Sequence, residues 1–597
     1  MLDLKITGGI VVDGTGAERF RADIGVKDGR IVEVRRRSGD DQAGDGLQGD
    51  AAHEIDATGR IVAPGFVDVH THYDAEVLVG PGLEESVRHG VTTVLLGNCS
   101  LSTLYSTPVD IADLFSRVEA LPRDHVLKAV DTHKTWSGPD EYIDALERLP
   151  LGPNIAALVG HSDLRAHVMG LDRSTDRSQK PTREESKAMA DALNSALDAG
   201  LLGMSTMTNP WDKLDGDRYR SRSLPSSYAR WSEFRALHKI LRRRGRLLQS
   251  IPNLNTKYDM AFFLAATTGL GRSPLKVSLL AAADPKASPW IHHVFGPLAR
   301  LVNGPGRGLF RWQHLPTTFD VYSDGIDLVV FEEFGSGRAA LHLREELGRN
   351  ELLSDEAYRR WFRADFEKKF SSRVWHRDFA DAQITECPDA SVVGKNVAEV
   401  AAERGIHVVD AFLDLVVEHG RKFRWHTTIA NHRKRKMDKL INSPGVTVGF
   451  SDAGAHLRNM AFYNFGIRLL HRVHEAECDR RPFMSVATAV HKLSAELADF
   501  YGVDAGHLRV GDRADIVVVD PSGLTDEVTA YREETMPEFG GLSRMVNRND
   551  RAVTATLVAG RIVYRDGVFA PWFGVSERAG SFLRAGVPST PRRRVRA

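Results

Sequence analysis

The sequence predicts an α/β fold: a (β/α)8 TIM-like barrel carrying a small β-sandwich domain formed from both chain termini. Three observations predict it. From about residue 63 to 500, strand-like and helix-like stretches alternate, as in repeated βα units around a parallel sheet. The first 62 residues and those beyond 500 lack that alternation and consist of β-branched runs punctuated by Gly and Asp-Gly turns. The phrase Gly-Arg-Ile-Val recurs at 59–62 and 560–563, which ties the two β-rich ends together.

The expected domains follow in order. Residues 1–62 are the N-terminal part of the sandwich, with strands in LKITGGIVVDG, ADIGVKDGRIVEVRR and HEIDATGRIVAPG and a polar, Gly-rich loop over 38–52. Residues 63–500 are the barrel. VTTVLLGNCS, IAALVGHSD, GLLGMST, RLLQSIP, LKVSLLAAAD and VTVGFSDAG read as its strands, and EYIDALERL, SKAMADALNSALDAG and SEFRALHKILRRRG as helices between them. The stretch 285–395 breaks the pattern with aromatic and basic loops and a charged helix near EAYRRWFRADFEKKF. It reads as an insertion or a cap over the barrel mouth. Residues 501–575 return to strand texture in RADIVVVDP and AVTATLVAGRIVYRDGVF, and 576–597 form a tail ending in the basic run PRRRVRA.

Composition narrows the function classes. Lys+Arg equals Asp+Glu at 79 each, which argues against a nucleic-acid or anionic-membrane binder. Three cysteines are too few for a disulfide framework, no run approaches the length of a membrane span, and no signal peptide is visible at the N-terminus. The expectation is a cytoplasmic protein acting on a small molecule, as a monomer or a homo-oligomer.

IVAPGFVDVHTH, residues 61–72, carries the chemistry. Its apolar run ends on Asp68, His70 and His72, and alternate residues of a strand share a face. At the C-terminal end of a barrel strand both imidazoles would face the interior, where two nitrogen donors suit zinc or a related divalent metal. The other reading is a pair of histidines hydrogen-bonded at a strand end.

APGFVDVHTHYDA at 63–75, HGVTTVLLGNCS at 89–100, VGHSDLRAHVMG at 159–170, GLLGMST at 200–206, GFSDAGAHL at 449–457 and VGDRADIVVVDP at 510–521 extend the pattern across most of the chain. Through them the sequence resembles the amidohydrolase superfamily and, within it, the N-acyl-D-amino-acid deacylase (D-aminoacylase) family. The resemblance implies metal ligation by His70, His72, Cys99 and Asp452. Asp452 would also be the general base that takes a proton from the metal-activated water and returns it to the leaving amine. His161, Arg165 and His456 would lie near the substrate. Simpler readings stand beside these: Cys99 as a buried small hydrophobe, Ser451-Asp452 as a helix N-cap and Arg165 in a structural salt bridge.

The chain departs from the family at two positions. Gln249 and Leu279 stand where histidines are expected at the ends of the fourth and fifth strands. Three outcomes are open: one metal on His70, His72 and Asp452 with help from Cys99; substitution by His292, His293, His426 or His432; or loss of the metal. The loop MTNPWDKLDGDRYRSRSLPSS replaces a short family phrase, and its Trp211, Tyr219 and Arg222 either line a pocket or belong to an ordinary surface loop. The expected function is a zinc-type amidohydrolase of N-acyl (D-)amino acids, with one divalent metal per chain. A cyclic amide, imide or lactone hydrolase and a catalytically degenerate binding barrel are the alternatives.

Overall fold

The computed structural model describes residues 1–37, 46–253, 256–369, 371 and 373–586. Most of the polar loop expected at 38–52 and the basic tail Pro591–Ala597 lie outside the described residues. The centre of the molecule is an eight-stranded sheet, all parallel, whose strands neighbour one another in chain order. They are Phe66–Asp68, Val91–Leu96, Asn154–Gly160, Gly203–Met207, Leu247–Ile251, Lys276–Leu280, Leu309–His314 and Val446–Val448. VTTVLL and NIAALVG are buried throughout, as expected of parallel strands covered on both faces. The sheet curls until its edges meet. Val69 N donates to Gly449 O (2.8 Å), Asp452 N to His70 O (3.0 Å) and His72 N to Ala453 O (2.7 Å).

Helices cover the outside, and their ends are written into the sequence. Arg183–Ala199 starts at a Thr182–Glu185 capping box, which satisfies two orphan N–H groups, and stops at Gly200 with φ 115°. Among the described residues, no helix is long and apolar enough to cross a membrane.

The two ends of the chain combine in one nine-stranded sheet. Its N-terminal strands meet its C-terminal strands where Ile61–Pro64 pairs antiparallel with Ile516–Val519. Alternation gives that sheet two apolar faces. Ile516 and Val518 pack with Ile6 and Ile24 in a core of their own. Val517 and Val519 face the main core. Where a small sandwich is expected from the sequence, the described strands form this nine-stranded sheet and a separate pair, Arg532–Met536 with Leu542–Val546.

The stretch read as an insertion over 285–395 differs in two ways. It hides the seventh parallel strand, Leu309–His314, and the cap runs on to Ala430. LFRWQH carries no apolar run because Gln313 and His314 are buried polar side chains with hydrogen-bond partners. The cap itself holds a three-stranded sheet of Phe319–Asp324, Arg424–Ala430 and Gln383–Glu386. Its core is separate and aromatic: Phe379 stacks on Phe412 at 4.6 Å, against Phe331, Trp375 and Trp425.

A separate core makes the cap's stability separable. Phe412→Ala should cost about 3–5 kcal/mol, the usual price of emptying a phenylalanine site. Hydrogen exchange should then quicken across Phe319–Ala430 while the parallel strands keep their protection. Uniform loss of protection would contradict the division into two cores.

Candidate metal centre

The first and second strands deliver the donors. The chain continues from Phe66–Asp68 in extended form, so His70 and His72 project inward on one side of Thr71, whose hydroxyl donates outward to Leu95 O (2.8 Å). After Val91–Leu96 the chain makes a left-handed turn, with Cys99 at φ 53° and Ser100 at φ 68°. Asp452 and His456 also sit at positive φ, 60° and 50°, at the opposite joined edge. A non-glycine residue held there costs on the order of 1 kcal/mol. Asp452 is thus not a helix cap: no helix begins before Phe465, and Ser451 bonds Ala453 N and Asp68 instead.

The sheet interior holds this turn in place. Ser205 Oγ accepts from Ser100 N (3.0 Å), and Gln249 Oε1 accepts from Cys99 N (3.1 Å). Gln313 Nε2 donates to Ser278 Oγ (3.0 Å), so its Oε1 faces His70 Nδ1 at 2.6 Å and must accept a hydrogen there. His70 Nε2 is left with its lone pair aimed at Cys99 Sγ, 3.1 Å away. His72 is flanked likewise, with Glu119 Oε1 3.4 Å from Nδ1 and Asp452 Oδ1 3.3 Å from Nε2. His70 Nε2 lies 3.6 Å from the same Asp452 oxygen.

The donor set suits a divalent cation. Ligand atoms of His70, His72 and Cys99 lie within 4.8 Å of one another, all buried. Two imidazoles and a thiol form a borderline-soft set of the kind zinc takes. Burial lowers His70 to about 4, so it offers a neutral imidazole. Burial pushes the Cys99 thiol up to about 12, so a thiolate exists there only against a cation. Burial also opposes ionisation of Asp452, but the hydrogen bond and charge of His72 outweigh it and hold this carboxyl below the usual range. Glu119 has less compensation, and burial raises it to about 8.

Sequence reasoning missed Glu119 and Gln313. Neither belongs to a motif; the one available signal for Glu119 is an acid set between the apolar residues Val118 and Ala120-Leu121. The remaining expected residues divide. His456 Nε2 stands 3.9 Å from both Glu119 Oε2 and Asp452 Oδ2. His161 instead bonds Thr206 Oγ1 (2.9 Å) and Glu233 Oε1 (2.7 Å), and Arg165 pairs with the other Glu233 oxygen, fully buried. Their polar ends are used inside the protein, which is the salt-bridge arrangement. Gln249 and Leu279 lie on the fifth and sixth parallel strands, Gln249 turned to the Cys99 backbone and Leu279 in the apolar core. None of His292, His293, His426 or His432 belongs to the three-donor cluster; His426, for one, faces Asp320 in the cap sheet at 3.3 Å.

A cavity of about 740 Å3 lies between the cap and the loops next to the cluster. Val118 and Ala120, on either side of Glu119, and Leu457, next to His456, line it, whereas the donors themselves do not. Of the three loop residues singled out above, Trp211 lines it, whereas Tyr219 stacks under Arg218 and Arg222, and Arg222 pairs with Asp172.

Comparison with known proteins places the chain in a family. Two models described as amidohydrolase family match residues 53–228 and 363–563. An uncharacterized protein of Mycobacterium tuberculosis (strain ATCC 25618 / H37Rv) is 52% identical over 98% of this chain and 96% of its own length. The N-acyl-D-glutamate deacylase of Alcaligenes xylosoxydans xylosoxydans is 28% identical over 88% of this chain and 89% of its own. The crystal structure of N-acyl-D-glutamate deacylase from Bordetella bronchiseptica holds zinc and a phosphonate mimic of the tetrahedral intermediate. It is 25% identical, covers 98% of this chain and 100% of its own, and superposes with a TM-score of 0.63.

Two outcomes test the site's supports. Glu119→Ala should weaken zinc binding 10–100-fold, the usual effect of removing a carboxylate that orients a ligand histidine, with Glu119→Gln in between. Competition with a chromogenic chelator measures it, and equal affinity in all three proteins would detach Glu119 from His72. For Glu233, burial is outweighed by His161 and Arg165, and the carboxyl is lowered to about 2. A depressed carboxylate stabilises the fold above its unfolded value and loses that contribution as the pH falls from about 4.5 to 2. The contribution is on the order of 3 kcal/mol. Urea midpoints of wild type and Glu233→Gln should therefore converge across that window.

Proposed function

We propose, from the premise that the chain belongs to the amidohydrolase family, that it hydrolyses amide C–N bonds of N-acyl amino acids, the D series first. The observation that carries the proposal is the His70–His72–Cys99 cluster beside Asp452, with His70 fixed by Gln313 so that Nε2 faces the other donors. We take the curled sheet with its joined edges as a (β/α)8 barrel and the cluster as the active site at its C-terminal end.

A divalent cation held by His70, His72 and Cys99, zinc first among the candidates, would polarise the scissile carbonyl and acidify the attacking water. One cation per chain fits, because Gln249 and Leu279 supply no further imidazoles. The remaining work falls to the protein. Asp452 reaches both imidazoles and keeps some exposure, so its carboxylate can take the proton of the attacking water and return it to the departing nitrogen. His456, 3.9 Å from Asp452 Oδ2, borders that transfer. The cap closes the space above and limits bulk water. His161 and Arg165, committed to Glu233, act in this reading as the wall of the site.

Metal analysis of protein purified without chelator tests the proposal. About one zinc, manganese or iron per chain, lost in His70→Ala and reduced in Cys99→Ser, is the expected result. Asp452→Asn should keep the metal and lose at least 100-fold in kcat, the range of a general base. Turnover should appear within a panel of N-acetyl-D- and N-acetyl-L-amino acids. A chain that stays metal-free and inert after reconstitution, or that opens hydantoins and lactones alone, would overturn the reading.

A further inference from the structure

The cavity is lined by charge from the cap and from the loops that face it, and nearly all of the arginine charge is paired. Seven arginines line it, and each has a carboxylate within 4.0 Å: Arg117 has Glu332, Arg349 has Asp327 and Arg458 has Asp324, for example. Lys213 is different. Its residue is 8% exposed, and among the described residues no carboxylate lies within 4.0 Å of its ammonium group. Its hydrogen bond goes to Ser223 Oγ at 2.9 Å, a neutral acceptor that takes one of three N–H donors. The nearby acids make their contacts with other groups: Glu332 Oε1 with Arg117, and Asp212 with Asn209 Nδ2 at 2.8 Å, while Glu332 Oε2 is buried without a hydrogen-bond partner among the described residues. Trp211, also buried, stands beside it on the same loop.

A buried ammonium without an ion-pair partner in contact is costly, and the chain tolerates one here at the edge of a ligand-sized space. Burial lowers Lys213 to about 8, and the more distant charges of Glu332 and Asp212 offset it only in part. Val118 and Ala120, which flank Glu119, and Leu457, which precedes Arg458 and follows His456, share the cavity lining with Lys213, so the space lies beside the segments that carry the cluster's outer residues. The loop that carries Lys213 lies in the replaced stretch after GLLGMST, where a barrel enzyme keeps its specificity.

We propose that Lys213 is a specificity-determining residue that binds a carboxylate of the substrate in the cavity between cap and sheet. The inference rests on the hydrolase reading above and adds the residue and the charge of the group it selects. Lys213 makes no contact with the donor cluster, so its role is in binding and not in the bond-breaking step.

Two arms test it. In the first, the N-acetyl amino acid that is turned over is compared with its neutral carboxamide. Lys213→Met should raise KM for the acid at least tenfold, with kcat within about threefold and the carboxamide little changed. Lys213→Arg should recover part of the loss. Equal effects on acid and carboxamide, or none on either, would overturn the inference. The second arm needs no turnover, so it stands if the hydrolase reading fails. Titration calorimetry with glutarate as probe should show binding to the wild type and to Lys213→Arg, and at least tenfold weaker binding to Lys213→Met. Equal binding by all three, or none to the wild type, would overturn it.

Discussion

The hydrogen bond from His70 Nδ1 to Gln313 Oε1 sets the chemistry of the centre. It fixes the tautomer, and with it the direction of the lone pair that faces Cys99. The bond can form because Gln313 is itself fixed: its amide nitrogen donates to Ser278 Oγ, which Tyr501 OH also reaches at 2.9 Å. Breaking that chain would strand a donor or an acceptor among fully buried side chains, a loss of about 1–3 kcal/mol each time. The same economy governs the turn that carries Cys99, where side chains of the fourth and fifth strands take up the backbone N–H groups of Cys99 and Ser100. The sheet interior is therefore a polar belt, fully buried and largely satisfied, beneath the donors.

The belt gives physical meaning to the two positions where the sequence departs from its family. Gln249 is not an absent ligand's empty place. Its oxygen holds the Cys99 amide and thereby helps keep the cysteine in its left-handed conformation. Its Nε2 is buried without a partner among the described residues, on the side chain that supports Cys99. Leu279 contributes only to packing. In the proposed reading these two positions supply a brace and an apolar side chain where the sequence resemblance implies imidazoles.

How much of this was legible in the sequence depends on range. His70 and His72 were readable because a strand's two-residue period brings them together locally. Cys99 and Asp452 were reachable only through resemblance, and the structure brings both to the histidines. Glu119 and Gln313 were not legible. Glu119 arrives from a loop after a helix, 47 positions beyond His72 in the numbering, and Gln313 arrives on a strand whose aromatic and basic side chains masked its period. Arg165 shows the converse. The sequence offered a substrate contact or a salt bridge, and only the position of Glu233, 68 residues away, distinguishes them. Buried polar side chains are chosen by partners distant in sequence, so local patterns find the fold more readily than the supports of its site.

The cap adds a constraint that the sheet alone would not impose. Arg117 and Glu332 join sheet to cap, as do Arg344 with Asp217 (2.7 Å) and Arg458 with Asp324 (2.6 Å). Such pairs contribute modestly to stability where solvent reaches them, yet they fix where charge stands around the cavity. With the arginines neutralised in place, the electrostatic field inside is shaped by the few groups left unmatched. Among the lining cations, Lys213 is the one without a carboxylate in contact, so the proposed preference for an anionic ligand end follows from what the cap balances as much as from what it leaves unbalanced.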